Sequence, residues 1–380
     1  MKICILNVLH PPFDKRVFHK VATSLVRAGH TVVSIVPSTE PVPETQGITF
    51  HVIPPAASIR GRLISVVRLI RHGLRERADV YLGVEPESWF AGLVVKCLLG
   101  CKVVLDLHEY VPTEFAKFFP KSLHAAVAWI TLAAMRIFAR FTDHIILTRN
   151  SFDGQFAGLS TPRTVVINTN HVQPACGEIP EELSQRYGAR PTLIHQGLFG
   201  DVRGSWKLLE AVRIVVRQKP DLKVIILGEY SYGSLDEYHL AIKNAGLDAV
   251  FDFESWVAYE KVPAYIAVSD IGLILFQPGP INHTLAMPHK LFDYMREAKP
   301  TIAPEFALEV RAIMAEADCG ILVNVTDPQS IADAILRLLD DPAEARRLGE
   351  NGRRAVETKF NWQNDERNLI AAFASLEKKK

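Results

Sequence analysis

The feature that most restricts this chain is an alternation of short apolar runs with amphipathic stretches of helical period, carried out twice. In the first array the runs are Ile3–Val8, Thr31–Val36, Ile48–Ile53, Asp79–Val84, Lys102–Leu107, His144–Leu147 and Val165–Ile167. Continuous apolar runs of this length suit strands buried on both faces of a parallel sheet, with the intervening helices as crossovers. The pattern lapses between Asn168 and Arg190, where Pro174, Gly177, Pro180 and Gly188 interrupt it. It restarts with Thr192–His195, Leu222–Gly228, Val250–Phe253, Ile271–Phe276, Thr301–Ala303 and Gly320–Val323. Two such arrays in 380 residues predict an α/β chain of two doubly wound, Rossmann-like parallel-sheet domains. The expected divisions are residues 1–170, a linker at 171–190, a second domain at 191–360 and a C-terminal helix at 361–380 that packs back on the first. Ligands of open parallel sheets bind at the carboxyl ends of the strands, so the site is expected in a cleft that the two halves face.

Composition removes several functions. A net charge of +1 gives no global reason to expect a nucleic-acid partner. No G-x-G-x-x-G follows the first strand, which argues against a dinucleotide oxidoreductase, and no Walker A sequence occurs. Cys4, Cys97, Cys101, Cys176 and Cys319 are scattered and odd in number, so buried thiols are expected rather than disulfides or a metal site. The N-terminal apolar run ends by Leu9 without a signal-peptide cleavage region, so a cytoplasmic protein is expected.

Two helices raise a surface question. In the stretch from Ile59 to Arg77, Leu63, Val66, Ile70 and Leu74 form one stripe, with Arg60, Arg68, Arg71 and Arg75 on the other side. Such a helix suits either a solvated outer face or an anionic membrane surface. Leu123 to Phe141 is nearly all apolar but broken by His124, Arg136 and Arg140, and reads as a core helix, with an exposed side that touches lipid as the further possibility. Lys378–Lys380 reads as a frayed, solvated end.

Three stretches carry candidate chemistry. His108 and Glu109 follow directly on the Lys102–Leu107 strand. After Thr192–His195 come Gly197, Gly200 and Gly204, with Arg203 and Lys207 four residues apart at a helix start, a pattern suited to phosphate. In Met287-Pro288-His289-Lys290-Leu291-Phe292-Asp293-Tyr294-Met295, proline opens a helix, and Lys290 and Asp293 can project from one side of its first turn. A cation and a carboxylate there suit a ligand with both phosphate and hydroxyl groups, or form an ordinary surface ion pair.

These residues together resemble the two-domain GT-B glycosyltransferases, in particular the retaining GT4 family, over essentially the whole length. The resemblance runs through Asp14-Lys15-Arg16-Val17, Ala28-Gly29-His30-Thr31-Val32, Asp106-Leu107-His108-Glu109, Gly197, Arg203-Gly204, Pro288 to Met295, Pro300 to Ala303 and Cys319 to Val323. It implies a nucleotide-sugar donor of UDP or GDP type on the C-terminal domain and an acceptor on the N-terminal one. Arg203 and Lys207 would contact the donor diphosphate beside Gly197, with Lys290 next to them. Asp293 matches the second acid of the family's Glu-x7-Glu motif, which binds ribose. The first acid falls at Leu285, which cannot replace it; His283 or a loop amide would substitute. Glu309 fits a commonly acidic position. His108 would orient the reacting sugar or the acceptor hydroxyl, and Asp14, Arg16 and Glu109 would lie on the acceptor side.

The implied reaction retains anomeric configuration and needs no metal or other cofactor. The expected acceptor is a lipid-linked glycan in surface polysaccharide synthesis, with peripheral contact at the inner membrane face. Two rival readings share the fold: a sugar-nucleotide epimerase, and a non-catalytic binding protein made credible by the missing acid.

Overall fold

The computed structural model describes residues 1–56 and 58–377. The chain divides into two compact units, one comprising Met1–Asn168 with the segment from Trp362 onward, the other Thr169–Asn361. The terminal lysines Lys378–Lys380 lie outside the described residues.

The first unit is built on seven parallel strands: β1 (Lys2–Leu6), β2 (Thr31–Pro37), β3 (Ile48–Ile53), β4 (Val80–Gly83), β5 (Lys102–Leu107), β6 (His144–Leu147) and β7 (Arg163–Val165). Their order is β3-β2-β1-β4-β5-β6-β7. The order reverses between β1 and β4, and the crevice beyond such a switch point is where open sheets bind ligands. Ile3, Cys4, Ile5 and Leu6 are fully buried, as the apolar run demands. Cys319 is buried like Cys4, but Cys97 is exposed and Cys101 and Cys176 are intermediate, so the expectation of buried thiols holds for only two of the five.

A π-helical turn, Val17–Ala22, leads into α1 (Thr23–Arg27); α2 (Ile59–Glu76), α3 (Pro86–Leu99), α4 (Val111–Ala116) and α5 (His124–Ala139) follow. In α2 the inward stripe is Val66, Leu69 and Gly73, while Leu63 is 63% exposed, which corrects the stripe expected from spacing. Two contacts orient the helix. Gly73 sits so close to α3 and β4 that a Cβ there would lie 3.1 Å from Val95 and 3.3 Å from Tyr81, and Arg62 pairs with Glu87 on α3 at 2.9 Å. The expectation of a core helix at α5 also fails: only Met135 and Ala139 are buried. Phe138 ties it to α3, meeting Trp89 and Phe90 at ring-centroid distances of 5.8 and 5.7 Å.

The second unit opens with α6 (Glu181–Tyr187), inside the stretch expected to be linker. Tyr187 is fully buried, and Arg186 pairs with Asp252 at 3.0 Å and Glu254 at 2.6 Å, so these residues belong to the unit's body. The strands are β8 (Thr192–Gln196), β9 (Phe199–Gly200), β10 (Lys223–Leu227), β11 (Tyr230–Tyr232), β12 (Phe251–Glu254), β13 (Ile271–Leu273), β14 (Thr301–Pro304) and β15 (Gly320–Val323). The main sheet is parallel in the order β12-β10-β8-β13-β14-β15, and β9 pairs with β11 apart from it. Its switch point lies between β8 and β13. The helices are α7 (Ser205–Val215), α8 (Leu235–Asn244), α9 (Val262–Val268), α10 (Ile281–Thr284), α11 (His289–Arg296), α12 (Leu308–Ala317), α13 (Pro328–Asp340) and α14 (Pro342–Thr358). Tyr294 fixes α11 on the sheet: its ring lies on Gly272, where a Cβ would come within 2.4 Å, and its hydroxyl receives the Gln196 N–H at 3.1 Å.

The last helix, α15 (Trp362–Ala374), belongs to the first unit. Trp362, Leu369 and Phe373 are fully buried in the same core as Ile3, Val21 and Leu25. The Trp362 indole N–H donates to the Ser24 hydroxyl at 3.2 Å, and Asp365 accepts the Ile167 N–H at 3.0 Å.

Candidate active site

In the first unit, the loops leaving β1, β4 and β5 gather titratable groups at the switch point. Asp106, at the end of β5, is fully buried. Arg16 donates to it twice, from Nε at 2.9 Å and Nη2 at 2.7 Å, and donates from Nη1 to the Val166 carbonyl at 3.2 Å. His108 donates from Nε2 to the same carboxylate at 2.8 Å, since an ionised carboxylate only accepts. That bond fixes the tautomer and leaves Nδ1 as the acceptor nitrogen of the neutral ring. Burial alone would raise the Asp106 carboxyl, but Arg16 and His108 outweigh it and hold it well below the ordinary range.

His10 stands beside this group, its ring 5.3 Å from that of His108. Asn7 shapes the loop by accepting the backbone N–H groups of Leu9 and His10 at 3.0 and 2.8 Å. Glu85, buried at the start of α3, accepts the Leu9 N–H at 2.9 Å and the Ser88 hydroxyl at 2.8 Å. Burial raises the Glu85 carboxyl, with His10 the main opposing influence. For His10, burial acts downward, but Asp14 at 3.5 Å and Glu85 at 3.9 Å prevail and raise it. Asp14 also accepts the backbone N–H groups of Arg16 and Val17 at 2.8 and 2.7 Å.

Of the residues expected on the acceptor side, only Glu109 is exposed. Arg16 is 4% exposed with its guanidinium engaged internally, and Asp14 is half-buried as a cap of the π-helical turn. Both shape the site from behind. Sequence reasoning missed His10 and Glu85. The available signal was position, since each lies just past the carboxyl end of a parallel strand at the switch point.

In the second unit, the end of β8, the turn before α7 and the first turn of α11 hold a basic cluster. His195 ends β8 fully buried, and its Nε2 lies 3.1 Å from Lys290 Nζ and 3.1 Å from the Leu198 carbonyl oxygen. It can accept from Lys290 or donate to Leu198, but not both at once. Burial, reinforced by Lys290, pushes His195 far below its ordinary value. Lys290 itself is lowered to about 7, by desolvation of its ammonium end and then by Arg203, with Asp293 opposing. Lys290 lies beside the glycine loop, for a Cβ on Gly197 would sit 3.9 Å from Nζ. Arg203 lies 5.6 Å from the Tyr232 ring, and its buried Nε has no protein partner. Two cations beside a glycine loop suit an anion.

Gly204 serves the fold itself. At φ +89° it turns the chain into α7, and a Cβ there would lie 2.2 Å from the Leu275 carbonyl oxygen. Lys207, one turn into α7, is paired with Glu210 at 3.2 Å, and Arg203 is grouped instead with Lys290 and His195.

Asp293 is 1% exposed on the inner side of α11. It accepts from Asn170 Nδ2 at 2.8 Å, the Tyr259 hydroxyl at 3.0 Å and Gln196 Nε2 at 3.1 Å. A ligand hydroxyl would have to displace one of these donors. Leu285 is buried at the end of α10, and His283 donates from Nδ1 to the Gln277 carbonyl at 2.6 Å. Glu309 is 4% exposed in the first turn of α12. Among the described residues no group of three metal-type side chains comes together.

Known proteins match both units. Residues 15–170 match the family model described as glycosyl transferase 4-like domain, and residues 182–355 that of glycosyl transferases group 1. The spore coat protein SA of Bacillus subtilis is 25% identical over 54% of this chain, which spans only 54% of that protein's length. The alpha-D-kanosaminyltransferase of Streptomyces kanamyceticus is 21% identical over 77% of this chain and 76% of its own. Among solved structures, Anabaena Alr3699/HepE in complex with UDP superposes with a TM-score of 0.75 over 99% of this chain and all of that one, at 17% identity.

Proposed function

Because this chain belongs to the glycosyltransferases of the GT-B fold and GT4-like kind, we propose that it moves a sugar from a nucleoside-diphosphate donor of UDP or GDP type to a hydroxyl acceptor, with retention and without a metal. The observation that carries this reading is the Arg203–Lys290–His195 cluster around the Gly197 loop. A departing nucleoside diphosphate builds negative charge on its β-phosphate as the anomeric carbon becomes positive. Fixed cations and the N-terminus of α7 stabilise that charge in place of a metal ion. That Anabaena Alr3699/HepE was solved with UDP and with UDP-glucose supports a donor of this class.

In the reaction, the bond between the anomeric carbon and the β-phosphate oxygen breaks, and the acceptor oxygen bonds to the same face of that carbon. The acceptor's proton passes to the departing phosphate oxygen. His108, held by Asp106 with Nδ1 as acceptor, orients the sugar or the acceptor hydroxyl. The acceptor we favour is a lipid-linked glycan, a preference supported by the apolar side chains exposed along α5 of the first unit.

The test is incubation with labelled UDP- and GDP-sugars, with and without glycan acceptors, after a thermal-shift screen for the nucleotide that stabilises the folded protein. Transfer to the acceptor, lost in Arg203→Ala, is the expected result. Epimerised donor formed without any acceptor would overturn the reading in favour of an epimerase.

A further inference from the structure

The turn that carries Arg203 is bracketed by the small two-stranded sheet of the second unit. β9 runs straight into the turn Asp201–Arg203, and β11 lies parallel to β9 with Tyr232 opposite Gly200. Only glycine allows so close a pairing, since a Cβ on Gly200 would lie 2.2 Å from the Tyr232 carbonyl oxygen. The pairing brings the Tyr232 ring to the turn, where the Arg203 guanidinium carbon lies over it, 5.6 Å from the centroid.

The carboxylate on the same turn is committed to other donors. Asp201 Oδ1 accepts the Trp206 indole N–H at 2.9 Å and the Tyr230 hydroxyl at 3.0 Å. Tyr230 in turn receives the Ser205 hydroxyl at 3.1 Å, its own single proton being given to Asp201.

The two kinds of partner have different consequences for an arginine. A carboxylate would occupy its N–H donors and offset its charge. An aromatic face attracts the cation through the ring quadrupole and takes no N–H donor from it. Arg203 is thus held with its charge kept for a ligand, and its buried Nε has no protein partner.

We propose that Tyr232 is a positioning residue for sugar transfer: its ring sets the Arg203 guanidinium for the donor diphosphate, while Trp206 and Tyr230 keep the Asp201 carboxylate from pairing with it. This rests on the reading above that Arg203 meets the diphosphate, and adds what holds it there.

The experiment is a double-mutant cycle on the full chain, with UDP and GDP binding followed by calorimetry. Tyr232→Leu should weaken binding by about tenfold, and Tyr232→Phe, which keeps the ring, by no more than about twofold. In an Arg203→Ala background Tyr232→Leu should have no further effect. Tyr232 is 38% exposed, so the melting temperature should stay near that of the wild type. A second readout is pH. After desolvation, Arg203 is the influence that lowers Lys290 to about 7, so releasing Arg203 should move the fall in affinity to higher pH in Tyr232→Leu. Losses that multiply in the double variant would put Tyr232 on the nucleotide itself and overturn the proposal. Equal loss in the Phe and Leu variants, or an unmoved pH profile, would also overturn it. Wild-type binding in Arg203→Ala would overturn the diphosphate reading beneath it as well, which tells the two failures apart.

Discussion

Arg16 holds Asp106 through two near-parallel N–H···O bonds of 2.9 and 2.7 Å, and the same carboxylate receives His108 at 2.8 Å. The carboxylate is therefore both a structural charge and the orienting group for a histidine at a strand's end. These roles separate experimentally. Arg16→Ala leaves Asp106 buried without its main cation and should cost about 3–5 kcal/mol of stability in urea unfolding. The Asp106 carboxyl is depressed in the folded state, so its contribution is present above the ordinary value of 3.8 and lost as pH falls below it. His108→Ala removes neither charge. Losing one donor to the buried carboxylate should cost about 1–3 kcal/mol in urea unfolding, less than Arg16→Ala, while turnover falls by about two orders of magnitude. Unchanged turnover in His108→Ala would return this residue to a structural role.

Lys290 predicts a proton-linked step. Desolvation and Arg203 lower it to about 7 in the free protein, so above that pH much of it is uncharged. A bound diphosphate favours the ammonium form, so binding takes up a proton. Affinity for UDP or GDP should accordingly fall as pH rises above about 7. Calorimetry at pH near 8 in buffers of different ionisation enthalpy should show uptake of up to about one proton, absent in Lys290→Met. Stability of the free protein runs the other way. The unfolded lysine binds more protons between about 7 and 10.5, so the destabilisation from Lys290 is complete below 7 and relieved as pH rises toward 10.5.

Asp293 sits where a ribose-binding acid is expected, yet three side-chain donors already occupy it. Asp293→Ala would take an acceptor from Asn170, Tyr259 and Gln196 and remove a negative charge that supports the buried Arg296. The expected result is a loss of about 3–5 kcal/mol in urea unfolding along with weaker nucleotide binding. If nucleotide affinity drops while stability is unchanged, the carboxylate serves the ligand rather than the fold.

Both sheets were legible in the sequence because strands buried on both faces leave continuous apolar runs, as Ile3–Leu6 and Val224–Leu227 do. The short β9 and β11 were not, since Phe199–Gly200 and Tyr230–Tyr232 are too brief to show a period. Helix faces were read less well. In α2 the spacing favoured Leu63, but the close seat of Gly73 and the Arg62–Glu87 pair turn that leucine outward. In α5 an apolar composition suggested core, although composition cannot say whether the helix lies under other elements or outside them. At the candidate site, Lys290, Arg203 and Gly197 were recoverable from position and charge. His195 and His10 were passed over: their positions at or just past a strand's end were the only signal, and which such histidines meet other charged groups depends on neighbours across the sheet that the sequence does not give.

Trp362 offers a test of how the last helix belongs to the first unit. Its ring is fully buried beside Lys20, 5.5 Å from the ammonium, and its N–H donates to Ser24 on α1. With Leu369 and Phe373 it closes the side of the core that faces α1. Trp362→Ala creates a cavity and should cost about 3–5 kcal/mol, and ending the chain after Asn361 should unfold the first unit. Because the basic cluster and the Gly197 loop lie in the second unit, nucleotide binding by calorimetry should survive both changes. Loss of nucleotide binding on truncation, with the second unit still folded by limited proteolysis, would show that the donor site depends on the C-terminal helix.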